Sequence, residues 1–106
     1  MDYEITPQEV ARRRAAGEEL VLLDVREHWE RGTASIADSL HMPMDEVPSR
    51  MQELDPDAAI VVVCHHGMRS LAVTDFLRKQ GYEAVQSLAG GIQRWSVEVD
   101  PKVPRY

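Results

Sequence analysis

A chain of 106 residues that is 43% hydrophobic and 28% charged has the make-up of one globular domain, too short for a second core and too apolar for disorder. Its formal net charge of -6 argues against non-specific binding to nucleic acid or to an anionic membrane surface, so neither is an expected partner. No apolar run approaches the ~20 residues of a membrane-spanning helix, the opening residues lack the basic and apolar regions of a signal peptide, and one cysteine cannot form an internal disulfide; the cytoplasm is the expected location.

No repeat, low-complexity tract or long linker interrupts the chain. Thr6-Pro7-Gln8-Glu9 joins an N-cap threonine, a proline at the first helical position and a glutamate three residues after the cap, which predicts a helix to about Ala16, ended by Gly17. The apolar run 20–25 is short for a helix and suits a strand buried on both faces. Residues 27–31 predict one or two helical turns, and a short apolar segment at 39–42 is stopped by Pro43. Residues 45–54 read as a helix with Pro48 in its first turn. The strongest strand, 59–63, runs straight into Cys64. A helix is expected over 70–80, capped by Gly81, with Ala72, Val73, Phe76 and Leu77 on one face. A last strand at 84–88 leads through Gly90-Gly91 into a short helix to Trp95, and 100–106, with two prolines, is expected to be extended. Short apolar strands alternating with helices imply an α/β fold, a mostly parallel sheet covered on both faces, with ligands beyond the C-terminal ends of the strands.

Cys64 falls at such an end. Cys64-His65-His66-Gly67-Met68-Arg69-Ser70 must turn tightly from strand to helix, which points backbone N–H groups inward as an anion-favouring nest. Gly67 suits an unusual backbone dihedral, and Arg69 adds a permanent charge. A sulfur there is expected to ionise readily and to act as a nucleophile. A lone cysteine after a valine-rich strand also fits inert packing, but a structural turn has no need of two histidines, a glycine and an arginine before a helix. His65 and His66 either tune Cys64 and touch substrate or fill tolerant loop positions. With Cys64 they suggest a metal trio, yet neighbouring histidine side chains are expected to diverge and a fourth ligand is lacking, so no metal is assigned. Asp24 and Arg26, at the end of a buried strand, are assigned a supporting role that ties strand to helix and orders the loop. Met42, Met44 and Met51 read as core filling, Met68 as part of the loop entrance, and Trp95 as a packing anchor. Arg12-Arg13-Arg14 reads as a solvated face or a dock for an acidic partner.

From about Gly17 to Arg105 the chain resembles the rhodanese superfamily. Asp24-Val25-Arg26-Glu27 is similar to its D-x-R signature, residues 64–70 to its C-x-x-G-x-R-S loop, and Leu88-Ala89-Gly90-Gly91-Ile92-Gln93-Arg94-Trp95 to its L-x-G-G-x-x-x-W. One departure is Ala34-Ser35-Ile36-Ala37-Asp38-Ser39, where the family often has G-H-I-x-G-A. The resemblance implies a rhodanese domain over 17–105, the helix within 1–16 belonging to it, and a three-layer α/β/α fold around about five short strands. It further implies a sulfurtransferase in which Cys64 takes a sulfane sulfur from thiosulfate or a protein donor and passes the persulfide sulfur to cyanide or a thiol. In that scheme His65, His66, Gly67, Met68 and Arg69 bind substrate or persulfide, Asp24, Arg26 and Ser70 support them, and no metal or organic cofactor takes part. A protein-to-protein relay for sulfur-carrier proteins or RNA thiolation is the alternative. A cysteine phosphatase or arsenate reductase fits less well, because its C-x5-R loop would place arginine where Ser70 stands, and a non-catalytic binding module has no use for Cys64.

Overall fold

A computed structural model describes residues 1–106. The chain runs β1 (Glu4–Ile5), α1 (Pro7–Ala15), β2 (Val21–Asp24), α2 (His28–Thr33), β3 (Leu40–His41), α3 (Val47–Arg50), β4 (Ile60–Val63), α4 (Met68–Lys79), β5 (Val85–Leu88) and α5 (Gly91–Glu98). The five strands form one all-parallel sheet in the order β1-β5-β4-β2-β3. Alternation along the strands divides the core. Leu23, Val25, Ile60, Val62 and Val85 face Val47 of α3 and Val73 and Leu77 of α4. Leu22, Val61, Val63 and Leu88 face Val10 of α1 and Ile92 and Trp95 of α5. Both faces of the central strands are therefore dry, which is why 59–63 is continuously apolar and 20–25 is interrupted only by Asp24. Trp95 is a core residue, as its place after the glycine pair predicts.

The first helix starts as its signals predict, the Thr6 hydroxyl accepting from Glu9 N–H at 3.1 Å, a cap worth about 1 kcal/mol. Several boundaries differ from expectation. Residues 45–54 do not form one helix: the single α-turn α3 is flanked by 3-10 turns at Met44–Glu46 and Met51–Glu53. Proline 48 lacks an N–H and can serve only a helix start, so the segment restarts there. Helix α4 begins at Met68 rather than Ser70, inside the cysteine loop, because Gly67 supplies the left-handed N-cap at φ 107°. Its buried face is Ser70, Val73, Thr74 and Leu77, whereas Ala72 and Phe76 look into an apolar groove of about 200 Å³ with Met44, Val47 and Pro48. Met42 is fully buried, Met51 packs against the core, and Met44 lines the groove instead of filling the core. Helix α5 runs to Glu98, and α2 to Thr33. Residues 100–106 are not simply extended: Val103 N–H closes a turn on the Asp100 carbonyl at 3.1 Å and its side chain is buried. The three arginines of α1 find partners within the chain, Arg12 on Glu9, Arg13 on Glu18 and Arg14 on Asp38 and the Ala37 carbonyl. No helix is long and apolar enough to cross a membrane.

The sheet order determines where a site can form. From β2 the chain moves outward to β3, whereas from β4 it moves the opposite way to β5. The direction reverses between β2 and β4, and the crevice outside their C-terminal ends is where parallel sheets bind ligands. Asp24 and Val63 are register partners there, so residues 24–31 and 64–70 leave the sheet side by side.

Candidate active site

Cys64 is buried, and its sulfur sits at the focus of the loop. Gly67 N–H donates to Sγ at 3.1 Å and Ser70 N–H at 3.3 Å, while the Ser70 hydroxyl lies 3.2 Å away. Of the loop's five inner residues, only Gly67 aims its amide at the sulfur; the second amide comes from Ser70, in the first turn of α4. Two amide donors, and a hydroxyl that can turn its proton toward a thiolate, complement negative charge on the sulfur, and α4 adds the positive end of its dipole. The Ser70 hydroxyl also pairs with Ser87 Oγ of β5 at 2.7 Å, tying loop to sheet. Ser87 had no signal in the sequence beyond being a polar residue in a buried strand.

The loop's outer wall is α5. Ile92 N–H donates to the Cys64 carbonyl at 2.9 Å and Gln93 N–H to that of His65 at 3.1 Å. The glycine pair allows this approach. A Cβ on Gly91 would overlap the same two carbonyls, and Gly91 has φ +63°. Gly67 is packed almost as tightly, since a Cβ there would meet Gly90 N at 3.3 Å. Two motifs far apart in sequence thus form one packed unit.

Arg69 closes the loop but does not point a free fork at solvent. Its Nη1 and Nη2 donate to Glu30 Oε1 and Oε2 at 2.6 and 2.8 Å. Glu30 is buried on α2 and also accepts from Glu27 N–H at 2.9 Å and from the Tyr106 hydroxyl at 2.7 Å. The Arg69 guanidinium, helped by the Tyr106 hydroxyl, holds the Glu30 carboxyl down at about 2, against the desolvation that opposes it. Arg69 is raised correspondingly by Glu30. Sequence reasoning missed Glu30, although Glu27-x-x-Glu30 has capping-box spacing and could have placed it at the start of a helix.

The supporting pair lies beneath. Arg26 is wholly buried and paired with Asp24 through Nε at 2.9 Å and Nη2 at 2.8 Å. Its remaining donors reach the Ala34 carbonyl at 2.6 Å, the Glu30 carbonyl at 3.3 Å and the Tyr106 hydroxyl at 2.9 Å. It is therefore the hub that joins β2, α2 and residues 34–39, and it does not touch Cys64. His41 Nε2 bonds the Arg26 carbonyl at 2.8 Å, and His28 packs edge-on against His41. In the segment that departs from the family pattern, Asp38 stands in the place of the glycine and has φ 65°. Aspartate is among the few side chains that tolerate this conformation, so the turn survives the change.

His65 and His66 do not diverge. Their rings stack at 3.9 Å with 25° between planes, and His65 is sandwiched because Tyr106 stacks on it at 3.9 Å and 10°. Burial, and then the neighbouring His66, push His65 below the usual histidine range and favour its neutral ring. His66 is exposed, as is Met68 at the loop's rim, 82% accessible. Tyr106, on a segment expected only to be extended, was a further residue missed; burial, joined by the Glu30 carboxylate and opposed by Arg26, pushes its hydroxyl up to about 12.

The rhodanese-like domain family model matches residues 6–98. The Bacillus subtilis protein YtwF is 37% identical over 99 residues, 93% of this chain and 95% of that one. A protein of Allochromatium vinosum named "Sulfurtransferase" is 37% identical over 96 residues, 91% of this chain and 90% of that one. The crystal structure of a rhodanese-related protein from Thermoplasma volcanium superposes with a TM-score of 0.85 at 32% identity, covering 99% of this chain and 100% of that one. Likeness of this extent, taking in the sheet, the cysteine loop and the glycine pair behind it, places the chain in the rhodanese-like domain family, among sulfurtransferases.

Proposed function

We propose that this chain carries a sulfane sulfur as a persulfide on Cys64. The observation that carries the reading is the set of groups on Sγ, the donating amides of Gly67 and Ser70 with the Ser70 hydroxyl beside them. With thiosulfate as donor, the Cys64 thiolate attacks the outer sulfur, the S–S bond of thiosulfate breaks, and sulfite leaves with the bonding pair. Cyanide or a thiolate then attacks the terminal sulfur of the persulfide and returns Cys64 as thiolate. Donors already aimed at the sulfur stabilise negative charge on it without reorganisation. Residues 64–70 form the binding loop, with Asp24 and Arg26 anchoring it from below. The reducing cytoplasm, where a lone thiol persists, is the compartment we assign.

The state of Arg69 favours a second reading of the donor. Its fork is occupied by Glu30, so a sulfonate would have to displace a carboxylate, and so would a phosphate. Meanwhile Met68 at the rim and Trp29, packed edge-on against Tyr106, are 82% and 65% exposed. An apolar rim suits a protein donor whose persulfide, or a protein acceptor whose thiolate, enters the loop, a relay with little thiosulfate turnover.

Intact mass of the protein before and after thiosulfate, and again after cyanide, tests the reading. A gain of one sulfur atom that cyanide reverses, and that Cys64→Ser abolishes, is expected; sulfur loading retained in Cys64→Ser refutes it. Reversal matters because a sulfinic acid adds nearly the same mass. Loading from a protein persulfide but not from thiosulfate selects the relay.

A further inference from the structure

Tyr106 belongs to no helix or strand and lies far from Cys64 in sequence, yet it is tied to both ends of the cysteine loop, directly at His65 and through Glu30 at Arg69. Its ring stacks on His65, the residue after Cys64, at 3.9 Å and 10°. Its hydroxyl donates to Glu30 Oε2 at 2.7 Å and accepts from Arg26 Nη1 at 2.9 Å. Glu30 in turn takes both arms of Arg69, the residue before Ser70. One side chain therefore braces the stretch within which the Gly67 amide is aimed at sulfur. Its own segment is anchored: Val103 is buried, and the Ser96 hydroxyl donates to the Val103 carbonyl.

We propose that Tyr106 is a positioning residue for sulfur transfer, its stack on His65 and its hydroxyl bridge to Glu30 holding residues 64–70 in the shape that aims the Gly67 and Ser70 amides at the Cys64 sulfur. The kinetic part rests on the sulfur-transfer reading; the ordering of the loop does not. The physical basis is preorganisation. Amide donors stabilise an anionic sulfur only when both are aligned as it forms, and the two amide bonds from α5 hold the Cys64 and His65 carbonyls but not the Arg69 end of the loop, which is tied through Glu30. Ring and hydroxyl act separately, so two substitutions divide them. Tyr106→Phe keeps the stack and removes the bridge, and Tyr106→Ala removes both.

The test uses the full chain as wild type, Tyr106→Phe and Tyr106→Ala. Amide hydrogen exchange is followed in peptides covering 64–70 and 60–63, and single-turnover sulfur gain by Cys64 is followed with thiosulfate or glutathione persulfide as probe. The expected result is exchange within 64–70 about tenfold faster in Tyr106→Ala, with phenylalanine restoring part of the protection. Exchange in 60–63 stays unchanged, and sulfur gain slows in the same order. Loop exchange in Tyr106→Ala within threefold of wild type overturns the proposal. So does equal acceleration in 60–63, which marks general destabilisation, and so does a loosened loop with undiminished sulfur gain. A wild type that gains no sulfur from either probe sinks the sulfur-transfer reading instead, and the exchange rates then decide by themselves whether Tyr106 braces the loop.

Discussion

Replacing Glu30 with glutamine removes the one negative charge that meets Arg69, and the cost can be worked from the site. The carboxyl is buried and hydrogen-bonded to Arg69, Tyr106 and the Glu27 amide, and these partners lower it from 4.5 to about 2. A depression of that size corresponds to stabilisation on the order of 3 kcal/mol by linkage. The Arg69 shift describes the same ion pair and adds nothing further. Because the folded value lies below the unfolded one, the unfolded chain takes up the proton first as pH falls. The stabilisation is complete above pH 4.5 and is lost as pH drops toward 2, with about 2 kcal/mol already gone at pH 3. Urea unfolding of wild type and Glu30→Gln at pH 7, 5, 4 and 3 measures it. The gap between them should be widest at pH 7, nearly as wide at pH 5, and smaller by about 2 kcal/mol at pH 3. A gap that stays constant across this range would mean that Glu30 is not held ionised by Arg69, and the account of the site's electrostatics would fail.

Other substitutions probe the packing around the sulfur. Gly91→Ala pushes a methyl group into the carbonyls of Cys64 and His65 and breaks two amide bonds to the loop; a loss of about 3 kcal/mol in urea unfolding is expected, together with loss of sulfur gain. Ser70→Ala leaves Ser87 Oγ buried without its partner, which should cost about 1–2 kcal/mol and slow sulfur gain several-fold while the two amides on Sγ remain. Asp38→Gly relieves a side chain held at φ 65° and gives up only an exposed pair with Arg14; thermal melting should rise by about 2–4 °C.

The tight turn after β4 and the α/β architecture were legible in the sequence because both depend on local chemistry. A proline after a threonine starts a helix wherever it lies, a run such as 59–63 has to be buried on both faces, and Gly67 marks a left-handed turn whatever surrounds it. Strand β1 was not legible, since Glu4–Ile5 is a strand only because β5 lies alongside to receive it. The break-up of 45–54 and the early start of α4 were visible only in part, because proline and glycine each allow more than one register of turn. What surrounds the loop was hidden. Glu30 reads as a surface glutamate on a short helix until the fold sets Arg69 against it, and Tyr106 reads as a polar end to a proline-containing segment until Val103 docks and swings the ring onto His65. Arg69 lies at the edge of the loop, yet the permanent charge inferred for it is paired with a carboxylate 39 positions away. The sequence by itself determined which side chain stands at the end of β4 and which backbone turn surrounds it, because those follow from residues adjacent along the chain. The tertiary structure alone decided which charges and rings hold that turn in place, because hydrogen bonds and stacking reach only a few ångströms and their partners meet only after the sheet has brought distant segments together.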